Sequence, residues 1–142
     1  MSTRSIAIQH NGKTYSGYVA VIKNTSLGWE SHGILTASLT LSWDGSGISS
    51  GGYCLDSPLK RDGYDKNRLD RVGTAYGLDH IMRIMHTVGV DKWEALPGKQ
   101  VIVLFDSAPG ESTWGATSVG IANSIDDRVL IFAEHANEWR DK

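Results

Sequence analysis

The chemistry this chain can carry is concentrated in one short run, Arg71-Val72-Gly73-Thr74-Ala75-Tyr76-Gly77. Arg71 supplies a forked, permanently charged donor, Gly73 an amide free of side-chain crowding, and Thr74 a hydroxyl. The run opens a helical pattern, and helix starts favour anions through unpaired N–H groups and the dipole. Tyr76 adds an aromatic face two residues on. Arg140, beside Trp139, is a second guanidinium near an aromatic ring. Guanidinium for phosphate and an aromatic face for a base are what a small phosphorylated nucleotide needs. A second reading of the same residues stays open: Arg71 pairs with Asp56 or Asp70, and Gly73-Thr74 only starts the helix.

Catalytic and metal-binding patterns are weaker. The five histidines, His10, His32, His80, His86 and His135, form no HxH or HExxH set, and no metal site is expected. Asp79-His80 is the best acid–base pair available to an enzyme, with Cys54 a conceivable nucleophile. A thiol needs a positioned base, however, and Cys54 lies in a strand where the usual role is core filler. Asp126-Asp127 falls in an expected turn and reads as solvated charge. Gly45-Ser46-Gly47 lacks the rest of a dinucleotide fingerprint, and no GxxxxGK[ST] run occurs. No cofactor is implied. Of five tryptophans, Trp43 and Trp93 suit the core. Trp114, in a Gly/Ser/Thr-rich loop, suits an exposed stacking or contact surface or a lid over the sheet.

The elements that must position these residues follow from length and periodicity. The chain has 142 residues, 40% of them apolar and 21% charged, with net charge −2. That composition fits one globular domain, residues 1–142, and gives no general attraction to nucleic acid. With a single cysteine, no disulfide forms within the chain and a reducing, cytoplasmic setting is expected. The N-terminal MSTRSIAIQHNGK lacks the apolar core of a signal peptide, and no run reaches membrane-spanning length.

Alternation predicts a short strand at 6–9 closed by Asn11-Gly12, a strand at 15–24, a turn at 25–28, and a strand through 29–43 with Leu35, Ala37, Leu39 and Leu41 on its inner face. A weaker strand spans 48–55, where Gly51-Gly52 suggests a bulge or a close approach. Residues 56–70 read as an exposed loop. Leu78, Ile81, Met82, Met85 and Val88 mark one apolar stripe on a helix at about 74–88, capped by Thr74 and ended by Gly89. Gly77 inside its first turn costs about 1 kcal/mol relative to alanine, so something is expected to approach there. A strand at 99–106, a loop, a hairpin of 115–123 with 128–132, and a short C-terminal helix that seats Trp139 complete the chain. The fold class is α+β: a bent, mostly antiparallel sheet around one principal helix.

Four segments carry a family resemblance: GGYCLD (51–56), RVGTAYGLDHIMRI (71–84), VGVDKWEALPGKQV (88–101) and GIAN (120–123). In motif and order they resemble the first Thoeris anti-defence family, small phage-encoded sponge proteins, across about residues 15–132. The resemblance implies a non-catalytic protein that sequesters cyclic nucleotide immune signals, a cyclic ADP-ribose isomer or cyclic oligonucleotides. It also implies a homo-oligomer, dimer or hexamer, with ligand held at subunit contacts. Carried over by motif, Arg71 would bind phosphate, Gly73, Thr74 and Tyr76 would shape the pocket, and Asn123 would bond ribose or base. Arg140 lies outside the matching segments and rests on its chemistry alone. The 106–118 loop is longer than the turn the family pattern suggests, which leaves Trp114 without an implied role. The rival functions are a hydrolase or lyase acting on such a nucleotide through His80 and Asp79, and a small protein that binds another protein or single-stranded nucleic acid through exposed Trp and Tyr.

Overall fold

The structure, a computed structural model, describes residues 5–30, 33–43, 45–58, 71–107 and 117–140. Its centre is a seven-stranded antiparallel sheet of β1 (Ile6–His10), β2 (Lys13–Trp29), β3 (Leu35–Trp43), β4 (Ser46–Cys54), β7 (Gln100–Phe105), β8 (Gly120–Ala122) and β9 (Val129–Ile131). The order is β4-β3-β2-β7-β8-β9, with β1 also paired to β2. A separate two-stranded ribbon joins β5 (Asp56–Pro58) to β6 (Arg71–Gly73). Helix α1 (Ala75–Val88) follows β6, and helix α2 (Phe132–Arg140) follows β9 directly. The α+β architecture with one principal helix and a short C-terminal helix is therefore observed.

Strand alternation explains the two cores. On one face Ala20, Ile22, Leu39, Leu41, Val101, Val103, Phe105 and Ile121 pack with Ile84 and Val88 of α1 and Phe132 of α2. Trp43 and Trp93 lean on this core, as expected of them, and Tyr18 stacks on Trp43 at 5.6 Å. On the other face Tyr15, Ile102, Leu104, Ala122 and Ile131 make a smaller cluster. β7 is buried on both faces, which is why its sequence is a continuous apolar run rather than an alternating one.

Several boundaries move. β2 runs through 25–29 instead of turning there, because Thr25–Trp29 pair with Leu39–Leu35 beyond a register shift near Lys23. The polar Asn-Thr-Ser segment imitates a turn, while the reversal falls beyond Trp29. Asp56–Pro58 belongs to the ribbon rather than to a loop, and residues 59–70 lie outside the described residues. The bulge expected at Gly51-Gly52 is present as a register shift opposite Ala37 and Ser38, and Gly51 holds φ +104°. A side chain there would also stand 2.8 Å from the Ala37 carbonyl oxygen.

Helix α1 holds the largest departure. Its caps are as expected: the Thr74 hydroxyl accepts from the Gly77 amide at 2.9 Å, and Gly89 closes the helix at φ +95°. Its buried face is different, formed by Gly77, His80, Ile84, Thr87 and Val88. Leu78 and Met82, taken for core by periodicity, are 64% and 53% exposed. The reason is Gly77. A β-carbon there would lie 2.2 Å from the Leu55 carbonyl oxygen, so the glycine side of the first turn faces the sheet and Leu78 turns away. Among the described residues no helix is long and apolar enough to cross a membrane.

Gly77→Ala tests this packing. Helix propensity alone favours the alanine by about 1 kcal/mol. The clash with the Leu55 backbone is expected to win, with a net loss of roughly 1–3 kcal/mol typical of overpacking. A melting temperature equal to or above wild type would contradict the close approach.

Candidate functional site

The run that opens α1 is organised by an ion pair. Arg71 donates from Nε to Asp56 Oδ2 at 2.9 Å and from Nη2 to Asp56 Oδ1 at 2.8 Å, a bidentate fork. The two side chains are only 11% and 3% exposed. Asp56 also accepts the Leu35 amide at 3.2 Å. The Arg71 hydrogen bonds outweigh the upward push of burial, and with the Leu35 amide they hold the Asp56 carboxyl below the usual carboxylate range. Of the two readings open for Arg71, the structure realises the pairing with Asp56. A phosphate at this guanidinium would have to compete with a buried carboxylate already seated on its fork.

The other sequence-selected residues are distributed as follows. Thr74 caps α1 and donates to the Leu55 carbonyl at 2.9 Å. Gly73 is exposed at the end of β6. Tyr76 stacks on His135 of α2, ring centroids 5.2 Å apart. Asn123 sits at the other end of α1. Its amide donates to the Thr87 and Val88 carbonyls at 3.0 and 3.2 Å, while its oxygen accepts the Ile125 and Asp126 amides, both at 2.8 Å. That amide terminates the helix and shapes the β8–β9 turn at once. Arg140 is exposed and donates to Asn137 in its own helix. Trp114 lies outside the described residues. Arg71, Gly73 and Thr74 are thus neighbours at one end of α1, Asn123 is at the opposite end, and Arg140 is on α2.

Cys54 is exposed rather than buried, and its thiol donates to the Asp56 carbonyl at 2.9 Å. His80 is fully buried, with ring contacts to Tyr76, Phe132 and His135. Burial first, then the nearby His135, pushes its pKa down to about 4, so it is neutral near pH 7 and presents nothing to solvent. Its sequence neighbour Asp79 faces α2 instead. Asp79 Oδ2 lies 2.7 Å from His135 Nε2 and accepts Trp139 Nε1 at 3.0 Å. Burial pushes the Asp79 pKa up, but the His135 and Trp139 hydrogen bonds together with the charges of His135 and Arg83 bring it below the usual range.

Among the described residues an open concavity lies elsewhere, where the C-terminal half of α1 meets the β8–β9 hairpin and the end of β1. A groove of about 420 Å³ is lined by residues that include His10, Arg83, His86, Asp127, Arg128 and Leu130. A second recess of about 140 Å³ shares His10, Arg83, Val129 and Leu130 and continues to Glu134, His135 and Glu138. Arg128 donates from Nη1 to the His86 carbonyl at 2.8 Å and lies 3.3 Å from Asp126. Arg83 donates to Glu138 at 3.0 Å, with Asp79 at 3.6 Å. The Arg83 and Arg128 side chains stay 43% and 36% exposed, so both guanidinium groups are accessible from the groove. The sequence singled out neither. Arg83 shows only as one charge on a helix, and Arg128 lies in a turn 45 residues away. Their convergence depends on α1 crossing the hairpin.

Comparison with protein-family profiles gave no match, and none was found among curated proteins or solved structures.

Arg71→Ala is expected to destabilise the fold by roughly 3–5 kcal/mol at neutral pH, since it strands a buried carboxylate. Asp56 has a folded-state pKa below its unfolded value. The contribution of the pair is therefore fully present above the unfolded carboxylate value of about 3.9 and is lost as pH falls through the lower folded value. Chemical denaturation across pH should show the gap between wild type and variant wide at pH 7 and shrinking below about pH 4. A gap independent of pH would show that Arg71 acts by packing alone.

Proposed function

We propose that this chain is a non-catalytic, sponge-type protein that sequesters a small cyclic nucleotide, and so blunts a bacterial immune signal in the host cytoplasm. The observation that supports it is the groove beside α1, where two accessible guanidinium groups and two histidines border a nucleotide-sized space. Phosphate needs forked cationic donors, and Arg83 and Arg128 supply them from two different elements. The resemblance of the four segments to the Thoeris anti-defence sponges supplies the ligand class, a cyclic ADP-ribose isomer or a cyclic oligonucleotide. His80, the acid–base candidate of the hydrolytic reading, is sealed in the core, which favours holding cargo over cleaving it.

The proposal includes assembly into a homo-oligomer. Leu78 and Met82 lie one turn apart on the outer side of α1, with Val72 of β6 also exposed. Such apolar surface on a small chain suits burial against a second copy.

Two experiments check these statements. Calorimetry with cyclic ADP-ribose isomers and cyclic di- and trinucleotides should find a binder that is recovered unchanged after heat denaturation of the protein. Arg83→Ala and Arg128→Ala should each weaken it by about 1.5–3 kcal/mol, the range for hydrogen bonds to charged groups. Absence of binding to every compound sinks the proposal, and a degraded ligand makes the protein an enzyme. Affinity that follows Arg71 but neither Arg83 nor Arg128 moves the site back to the start of α1.

The second experiment is light scattering. Wild type should have a mass that is a multiple of 15.5 kDa, and the Leu78→Glu, Met82→Glu double variant should return to the single-chain value. A wild-type monomer at high concentration removes the oligomer from the proposal.

A further inference from the structure

Both guanidinium groups that border the groove already face carboxylates. Arg83 donates to Glu138 at 3.0 Å and has Asp79 at 3.6 Å. Arg128 lies 3.3 Å from Asp126. Asp127 brings a further carboxylate to the larger recess, and Glu134 and Glu138 line the smaller one. Across the two recesses, two guanidinium groups thus meet three lining carboxylates, with Asp79 and Asp126 paired to the same arginines. With neutral imidazoles this border carries more negative than positive charge.

Charge and hydrogen-bonding capacity are separate properties of these arginines. A guanidinium has five N–H donors. Arg83 gives one to Glu138, and Arg128 gives one to the His86 carbonyl. The positive charge is therefore largely compensated, while most of the donors remain unused among the described residues. Such a surface suits an acceptor of low charge density. The phosphate inside a diester carries one negative charge and meets that condition. A terminal phosphate carries close to two at neutral pH. Its second charge would face Glu138 and Asp127 with little positive charge left to offset it. Like charges brought together across a binding surface act against the wrong partner.

We propose that the acidic border of the groove is a selectivity device. It admits cyclic nucleotides, whose phosphates are all internal and singly charged, and rejects linear nucleotides that end in a phosphate. Glu138 and Asp127 are the residues that set this preference. The inference rests on the groove being the ligand site. It adds that the opened form of the signal, and ordinary nucleotides with a terminal phosphate, are poor cargo and leave the protein free for the cyclic form.

The test is calorimetry on the intact protein with cyclic di-AMP and with pApA, the linear form in which one diester has been opened to a terminal phosphate. Cyclic di-AMP should bind more tightly at low salt by about fivefold, the order of one repulsion between unit charges in contact in water. Ring opening also loosens a ligand, so the variants carry the decision. Glu138→Gln and Asp127→Asn, both at exposed positions, should tighten pApA several-fold and cyclic di-AMP less. Added salt should narrow the gap in the wild type, because exposed charges are screened. Ring rigidity alone would leave the ratio of the two affinities unchanged in both variants and at every salt concentration. Equal or tighter binding of pApA, or a ratio that neither variant nor salt moves, overturns the selectivity while leaving the groove as the site. Failure of both compounds to bind overturns it too. A different cyclic nucleotide whose affinity falls in Arg83→Ala would then keep the groove, and affinity for none would remove groove and selectivity together.

Discussion

The contact between the first turn of α1 and the backbone of Leu55 constrains most of what surrounds it. Thr74 binds the Leu55 carbonyl through both its amide, at 3.1 Å, and its hydroxyl, at 2.9 Å. Gly77 then lets the helix backbone settle against the same residue. One position later in the chain, Asp56 grips Arg71 just ahead of the helix. These polar contacts fix the rotation of α1 about its own axis. The helix consequently buries His80 and Thr87 in line with Ile84 and leaves Leu78 and Met82 outside. Apolar periodicity is normally what sets helix rotation; here backbone proximity sets it instead.

The far end of α1 is held as firmly. Asn123 takes the last helical carbonyls while its oxygen organises the β8–β9 turn. Arg128, on the same turn, adds a bond to the His86 carbonyl. With both ends tied to the sheet, the middle of the helix can accept polar side chains in its buried face. Asp79, His80 and Tyr76 of α1 meet His135 and Trp139 of α2 through rings and hydrogen bonds rather than through aliphatic packing. The same clamp leaves a space between the outer flank of α1 and the hairpin. The groove is a consequence of how the helix is held, and Arg83, placed one turn after Asp79, is the residue that connects the buried network to it.

The fold was largely legible because its signals are local. Asn11-Gly12 closes β1 onto β2, the alternation of residues 35–41 gives the inner face of β3, and the continuous run at 100–105 gives a strand covered on both sides. Thr74 and Gly89 bracket α1 through cap chemistry that needs no tertiary partner. The boundary near residue 25 was not legible. Polar residues there resemble a turn, and only the pairing of Thr25–Trp29 with β3 shows that they continue the strand. The core role expected of Cys54 failed for a related reason: a residue's type says what it tolerates, while the strand's position decides which way it points.

What the sequence determined by itself was the main elements, though not the β5–β6 ribbon, and the chemistry available: one capped helix after an arginine, an antiparallel sheet, few catalytic patterns. Periodicity, caps and turn residues act over a handful of positions, and they suffice for that. The tertiary structure decided which charges meet. Arg71 has five carboxylates within fifteen residues in the sequence, Asp56, Asp62, Asp65, Asp70 and Asp79, and the β5–β6 pairing selects Asp56. Arg83 and Arg128 come together, and His135 reaches Asp79, because helices and hairpin cross in space. Electrostatic partners depend on distance in three dimensions, and sequence separation does not encode that distance.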